Sequence, residues 1–95
     1  MIDSNTIAIC ASASDYSYGI IDQITEIAKI AWENNIGMHV DGCLGGFFLP
    51  FAQWLKKSDI PDFDFKVPGV TSISLDSHKY GYGPKGLSVV LFRTK

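Results

Sequence analysis

Two short apolar runs with a helical segment between them constrain the fold of this chain more than any other feature. Residues 6–11 are nearly all apolar and lead into a serine-rich stretch, which predicts a strand buried on both faces, as in a parallel sheet. Asp22 is a suitable N-cap for a helix. Its apolar residues recur at helical spacing: Ile24, Ile27, Ala28, Ala31 and Trp32. The Asn and Gly residues within 34–37 end this helix, and residues 37–41 form the next strand, so the unit predicts an α/β fold with a right-handed crossover.

Two further strands are predicted in the second half of the chain. Residues 47–57 predict a helix with Pro50 early in it, where proline is tolerated, and residues 58–68 predict a loop. Residues 70–75 alternate apolar and hydroxyl side chains, which indicates a third strand. A Gly-Pro-Lys-Gly turn then leads into residues 87–92, a fourth strand rich in Val and Leu.

Composition and charge exclude several classes of protein. Hydrophobic residues make up 46% of the chain and charged residues 19%, so the chain is globular rather than disordered. A net charge of -2 argues against a nucleic-acid partner. Cys10 and Cys43 have neither disulfide nor metal spacing, which favours a reducing, intracellular setting. Because one predicted strand begins near the N-terminus and another ends near the C-terminus, we expect residues 1–95 to be a fragment of one larger α/β domain.

A lysine and an aspartate follow two different predicted strands. Asp41 ends the second strand, and Lys79 comes shortly after the third. Ligands bind at the carboxyl ends of parallel strands. We expect partial burial and nearby cationic groups to lower the pKa of Lys79 and so provide a neutral amine that can attack a carbonyl. An amine that forms an imine and an acid that keeps a pyridine nitrogen protonated are what pyridoxal 5'-phosphate requires. The ordinary alternative is a solvated lysine and an aspartate that caps the next element.

Three neighbouring residues could complete such a site. His78 could donate to a cofactor phosphate or to a substrate, and Ser12, after the first strand, could donate to the phenolic oxygen or the phosphate. Cys43, just past Asp41, is small enough for a flat ring to lie on it. Each also has an ordinary explanation, as a polar loop residue, a turn residue and a small buried residue. No metal site is predicted, since His39 and His78 alone do not bind zinc, and dinucleotide, phosphate-loop and nucleophile-elbow motifs are absent.

Three segments of the chain resemble one enzyme family. His-Val-Asp-Gly-Cys-Leu-Gly-Gly-Phe at residues 39–47 closely resembles the His-Val-Asp-Ala-Cys-Leu-Gly-Gly-Phe segment of the sphingosine-1-phosphate lyases, in the pyridoxal-phosphate group II decarboxylase family. Residues 65–86, which include Ser-His-Lys-Tyr-Gly-Tyr-Gly-Pro-Lys-Gly, resemble its Schiff-base segment. Residues 12–19 are less similar to the family's Ser-Ala-Pro-x-Phe-Pro-Tyr-Gly loop, because Ser14 and Ser17 replace both prolines.

The resemblance implies a fold, a cofactor and roles for individual residues. The fold is the aspartate-aminotransferase type (fold type I), and the chain is part of its pyridoxal-phosphate-binding large domain. Lys79 and His78 are the implied catalytic residues, with Lys79 holding the cofactor and His78 assisting at the phosphate or substrate. Asp41 pairs with the pyridine nitrogen, Ser12 contacts the cofactor and Cys43 packs on its ring.

The resemblance also implies a reaction and partners. Family enzymes cleave a phosphorylated sphingoid base by a retro-aldol reaction into phosphoethanolamine and a long-chain aldehyde, and they work as homodimers with sites at the interface. The implied location is intracellular, at the endoplasmic reticulum membrane if the full-length protein carries an anchor and cytoplasmic otherwise.

Two alternatives stay open at this point. An amino-acid decarboxylase of the same family shares the lysine, the aspartate and the histidine, although the Cys-Leu-Gly-Gly-Phe and Tyr-Gly-Tyr-Gly-Pro-Lys-Gly stretches favour the lyase. A catalytically inactive remnant that docks on a partner would carry the same motifs. The family's upstream aromatic residue, phosphate-binding loop and small domain all lie outside this sequence.

Overall fold

Four strands form one mixed sheet in which three neighbouring strands run parallel. The computed structural model describes residues 2–55 and 59–94. In chain order the elements are β1 (Ala8–Ser12), α1 (Ile24–Glu33), β2 (Gly37–Asp41), a 3-10 helix (Gly45–Phe47), α2 (Leu49–Trp54), β3 (Ser72–Asp76) and β4 (Ser88–Phe92). The sheet order is β1-β2-β3-β4, with β1, β2 and β3 parallel and β4 antiparallel to β3. The predicted α/β architecture with a mainly parallel sheet is therefore confirmed.

One face of the sheet carries the hydrophobic core. The strands contribute Ala11, Met38, Val40 and Ile73, all of them buried. Helix α1 packs on this face through residues spaced along one side of the helix: Ile24, Ala28 and Ala31. The segment 59–71, predicted as a loop over most of its length, has no helix or strand but adds Phe63, Val67 and Val70 to the core. This irregular segment therefore packs as part of the domain.

Helix α1 differs from its prediction at two residues. Asp22 is not the N-cap, because the helix begins at Ile24 without a side-chain cap hydrogen bond. The Asp22 carboxylate instead accepts the N–H of Ser12 at 2.7 Å. Trp32 does not extend the apolar face either, since it is 71% exposed. In the last turn of the helix Ala31 packs on the core, and Trp32, the next residue, therefore points to solvent.

The ends of the remaining elements agree with the prediction to within two residues where they are described. Asn35, which follows α1, has a φ of 54°, the left-handed conformation expected after a helix. The predicted helix at 47–57 is divided into the 3-10 helix and the short α2, with Pro50 in the first turn of α2. The predictions for residues 56–58 lie outside the described residues. Among the residues that are described, no helix is long and apolar enough to cross a membrane.

Strand β1 is less buried than the sequence predicts. It lies at the edge of the sheet, next to β2 only. Ala11 is buried under the core face, but Ala8 and Cys10 on the opposite face are exposed. The apolar run therefore fits a strand covered on one face in this chain, and the expectation of burial on both faces is wrong for the described residues.

The 3-10 helix approaches the loop after β1 closely because Gly45 has no side chain. A Cβ built on Gly45 would overlap the carbonyl oxygen of Ala13 and the side chain of Leu49. This contact brings the loop after β2, which carries Cys43, beside the loop that follows Ser12. The absence of a side chain at one position thus fixes how two loops meet at the carboxyl edge of the sheet.

Gly45→Ala should lower the free energy of unfolding by about 1–3 kcal/mol, because only a backbone shift can relieve the overlap. Gly37→Ala is the matched control, since a Cβ there would lie 3.6 Å from Thr71 Oγ1, an ordinary van der Waals distance. Urea denaturation of both variants measures the difference. Equal stability would show that the close approach of the two loops is not required.

Candidate active site at the carboxyl edge of the sheet

Three polar side chains form a row at the carboxyl ends of the parallel strands. In the register of the sheet Ser12 pairs with Asp41, and Asp41 pairs with Ser74. Registered residues of neighbouring strands point to the same face of a sheet, and Ser74 Oγ lies 3.4 Å from Asp41 Oδ1. Because Val40 and Ile73 point into the core, this row lies on the opposite face.

The Asp41 carboxylate is fixed through one of its two oxygens. Asp41 Oδ1 accepts the backbone N–H of Cys43 at 2.9 Å and faces the hydroxyl of Ser74. No donor to Oδ2 is found within residues 2–55 and 59–94. The carboxylate is therefore oriented by its own loop and by β3, and it has one oxygen available for a ligand.

Lys79 lies in the turn that follows β3, on the same face as Asp41. Its Nζ is 2.8 Å from Oδ2 of Asp76. Asp76 is the last residue of β3, and the alternation of side chains along a strand puts it on the face of Ser74. The side chain of Cys43 also lies close enough to the Lys79 amine to raise the pKa of that amine. The structure therefore brings Lys79, Cys43 and Asp41 together at the ends of two neighbouring strands.

The expected fall in the pKa of Lys79 is wrong. The hydrogen bond that the Lys79 ammonium donates to Asp76 raises the pKa of Lys79. Burial lowers this pKa, and the nearby Cys43 side chain raises it further. The same contact, followed by a hydrogen bond from the Ser88 hydroxyl, lowers the pKa of Asp76. A nearby carboxylate favours the ammonium form. Lys79 therefore carries a proton that it must lose before it can act as a nucleophile.

Ser12 is held in place by the start of the loop before α1. Its N–H donates to Asp22 Oδ2 at 2.7 Å, and its carbonyl accepts the N–H of Asp22 at 2.9 Å. The next residue, Ala13, donates its N–H to the carbonyl of Asp41 at 2.8 Å. The half-buried Ser12 is therefore fixed through its backbone, and its hydroxyl has no assigned partner among the described residues.

His78 is placed beside Lys79 but is oriented by a different element. Its Nδ1 lies 3.1 Å from the carbonyl oxygen of Leu87, so Nδ1 must carry the hydrogen and donate. Nε2 is then the ring nitrogen that remains for other contacts. The described contacts join the Lys79 amine to Asp76 and the His78 ring to the carbonyl of Leu87.

Three polar residues near the site were not identified from the sequence: Asp76, Ser74 and His39. His39 Nδ1 lies 2.9 Å from Ser72 Oγ, and its Nε2 lies 3.0 Å from Ser74 Oγ. The alternation of polar and apolar residues along β3 was the available signal. With a period of two, it places the polar residues of β3 on the face that carries Asp41.

Comparison with known proteins identifies the family. The family model of the pyridoxal-dependent decarboxylase conserved domain matches residues 2–95. The chain belongs to the pyridoxal-dependent decarboxylase family. Within related proteins, it is 58% identical over 94 residues to the sphingosine-1-phosphate lyase of Dictyostelium discoideum, and 56% identical over 92 residues to that of Arabidopsis thaliana. These alignments cover 99% and 97% of this chain. The resemblance drawn from the motifs is confirmed.

A solved structure of a family member confirms the fold. The sphingosine-1-phosphate lyase of Burkholderia pseudomallei matches 96% of this chain with a TM-score of 0.93 and 55% sequence identity. The four-stranded sheet and its helices are thus part of a fold type I α/β architecture. The chain spans 18% and 17% of the Dictyostelium and Arabidopsis proteins and 21% of the Burkholderia chain.

Asp76→Asn should lower the pKa of Lys79, because it removes the carboxylate that stabilises the ammonium form. The measurement is the rate at which an amine-reactive label modifies Lys79, followed by peptide mass spectrometry across a pH series. We expect the midpoint of the pH profile to move to lower pH. Exposed Lys85 is the internal reference, and Ser88→Ala, which keeps the carboxylate, is the control. An unmoved midpoint would show that Asp76 does not control this amine.

Proposed function

We propose that this chain contributes the cofactor site of a pyridoxal-phosphate-dependent carbon–carbon lyase. One observation carries the proposal: an amine and a carboxylate with an available oxygen share one face at the ends of neighbouring strands. Identity of 58% and 56% with two sphingosine-1-phosphate lyases supports a phosphorylated sphingoid base as the substrate. In this proposal residues 1–95 belong to the pyridoxal-phosphate-binding large domain of the enzyme.

The residues present fit pyridoxal phosphate. Lys79 supplies the amine for covalent attachment, and Asp41 Oδ2 is the acceptor for the N–H of the pyridine ring. The Ser12 hydroxyl is a donor for the phenolic oxygen or the phosphate, and the small side chain of Cys43 allows the ring to pack on it. His78 Nε2 is the ring nitrogen available to the phosphate or the substrate. When bound, the cofactor supplies an electron sink for breaking a bond next to the substrate nitrogen.

Asp76 and Asp41 prepare the site in different ways. Asp76 Oδ2 holds the Lys79 ammonium and is the nearest acceptor for the proton that Nζ must release. Asp41, fixed through Oδ1, would present Oδ2 to the ring nitrogen. In the proposed reaction the hydroxyl proton is removed and the bond between the amine-bearing and the hydroxyl-bearing carbons breaks, which releases a long-chain aldehyde. The amine-bearing carbon then takes up a proton, and phosphoethanolamine leaves.

We also propose that the complete enzyme is an intracellular homodimer. Large aromatic side chains in the loop after β1, just before α2 and in the turn after β3 are exposed, as at an uncovered interface: Tyr16, Tyr18, Phe48, Tyr80 and Tyr82. Two free cysteines fit a reducing compartment. The location would be the endoplasmic reticulum membrane if the complete polypeptide carries an anchor, and the cytoplasm otherwise. A monomer in sedimentation of the complete enzyme would contradict the dimer.

Incubation of the chain with pyridoxal phosphate, followed by borohydride reduction, should attach the cofactor covalently to Lys79. Peptide mass spectrometry locates the adduct. Lys79→Ala should abolish the adduct, while Lys85→Ala, which removes an exposed lysine of the following turn, should leave its yield unchanged. Equal labelling of Lys79 and Lys85 in the unsubstituted chain would contradict a specific site and favour an inactive remnant.

A chimera distinguishes the lyase from an amino-acid decarboxylase. This chain replaces the matching segment of the Burkholderia pseudomallei lyase, and the product is incubated with a sphingoid-base phosphate and, separately, with aromatic and acidic amino acids. We expect release of long-chain aldehyde from the phosphate substrate and its loss in Lys79→Ala. Carbon dioxide release without aldehyde would rule out the lyase.

A further inference from the structure

A chain of hydrogen bonds crosses the polar face of the sheet and ends on the Asp41 carboxylate. It begins at Ser72, whose Oγ lies 2.9 Å from His39 Nδ1. It continues from His39 Nε2 to Ser74 Oγ at 3.0 Å, and from Ser74 Oγ to Asp41 Oδ1 at 3.4 Å. All four residues are half-buried, on adjacent strands β2 and β3.

The chemistry of the four groups fixes the direction of every proton in this chain. The Asp41 carboxylate only accepts, so the single hydroxyl proton of Ser74 must point to Asp41. Ser74 Oγ can then only accept from His39, which requires a hydrogen on Nε2. Neutral His39 therefore has a bare Nδ1, which accepts the hydroxyl proton of Ser72. No other arrangement with a neutral ring satisfies all three contacts.

We propose that Ser74 and His39 are positioning residues that orient the Asp41 carboxylate toward a protonated pyridine nitrogen. This inference rests on the proposed function, because it assigns the cofactor nitrogen to Oδ2 of Asp41. The hydroxyl of Ser74 and the N–H of Cys43 both act on Oδ1. Both contacts hold Oδ1, and Oδ2 is the oxygen without a donor among the described residues.

The length of the last contact fits this role. A distance of 3.4 Å is long for a hydroxyl donor, and hydrogen bonds of an active site often shorten only when the ligand is bound. Without the Ser74 hydroxyl, the carboxylate would lose one of the two contacts that hold Oδ1 and would present Oδ2 to the ring nitrogen less precisely. The cofactor would then bind less tightly, with a less protonated ring.

The first measurement needs no cofactor. Nitrogen-15 chemical shifts of the labelled chain at about pH 8.5, where an ordinary imidazole is neutral, report which ring nitrogen of His39 carries hydrogen. His78→Gln assigns the two histidines. We expect the Nε2–H form of His39 in the unsubstituted chain and in Ser74→Thr, which keeps the hydroxyl. Ser74→Ala should lose this preference, whereas the matched control Ser72→Ala should keep it.

The second measurement uses pyridoxal phosphate labelled with nitrogen-15 in its ring and bound to the chain. The ring nitrogen should give the signal of a protonated pyridine in the unsubstituted chain, Ser74→Thr and Ser72→Ala. In Ser74→Ala the signal should move toward that of unprotonated pyridine. Cofactor affinity should fall about tenfold, the effect of losing one hydrogen bond to a charged group. A purely structural role for Ser74 would change stability without moving the nitrogen signal.

The outcomes separate this inference from the proposed function. If Ser74→Ala and Ser72→Ala show the same His39 tautomer and the same ring-nitrogen signal, the inference is overturned, even if the cofactor still attaches to Lys79. An unsubstituted chain that forms no adduct at Lys79 would overturn the proposed function, and the inference with it. If circular dichroism shows that Ser74→Ala does not fold, His39→Leu takes its place, and an unmoved ring-nitrogen signal in that variant overturns the inference.

Discussion

The parallel register of β1, β2 and β3 is the constraint on which the candidate site depends. Side chains alternate between the faces of a strand, so the pairing of Ser12 with Asp41 and of Asp41 with Ser74 decides which groups meet. The same alternation buries Val40 in the core and leaves His39 on the polar face. A shift of one residue would exchange the two faces, placing an acid in the core. Stability of the core therefore enforces the geometry of the site.

The loop after β1 shows how a contact can replace the rigidity of proline. The related loops have prolines where this chain has Ser14 and Ser17. Here the Asp15 carboxylate accepts three backbone N–H groups, from Ser17, Tyr18 and Ile20, at 3.0, 3.0 and 2.7 Å. These bonds hold the pKa of Asp15 below its ordinary value, and the bond from Ile20 has the largest effect. An anionic side chain thus organises this loop, in which prolines would restrict φ covalently.

Features that depend on local sequence pattern, such as strand bounds and the buried face of a helix, were predicted correctly. Predictions were wrong where a residue distant in the fold determines the contacts of a side chain. Strand β2 has its predicted bounds, and α1 has its predicted buried face. Asp22 was wrong as an N-cap because it bonds to Ser12, on the other side of an intervening loop. The prediction that Trp32 extends the apolar face was wrong, because the position of the sheet, and not helical spacing alone, determines which helix residues are buried. The predicted fall in the pKa of Lys79 was wrong because the turn after β3 folds the amine back onto Asp76. The sequence alone does not reveal this contact.

The carboxylates of Asp76 and Asp41 lie on one face of the sheet but differ in their hydrogen-bond partners. This difference distinguishes their proposed roles. Asp76 is bonded through both oxygens, to Ser88 and to Lys79, whereas Asp41 has donors on Oδ1 alone within the described residues. In the proposed function, a cationic ring nitrogen would therefore pair with Asp41. Covalent attachment of the cofactor would take Lys79 away from Asp76 and leave that carboxylate without its ammonium partner, which would oppose binding. An ion pair between the ring nitrogen and Asp41 would offset that loss.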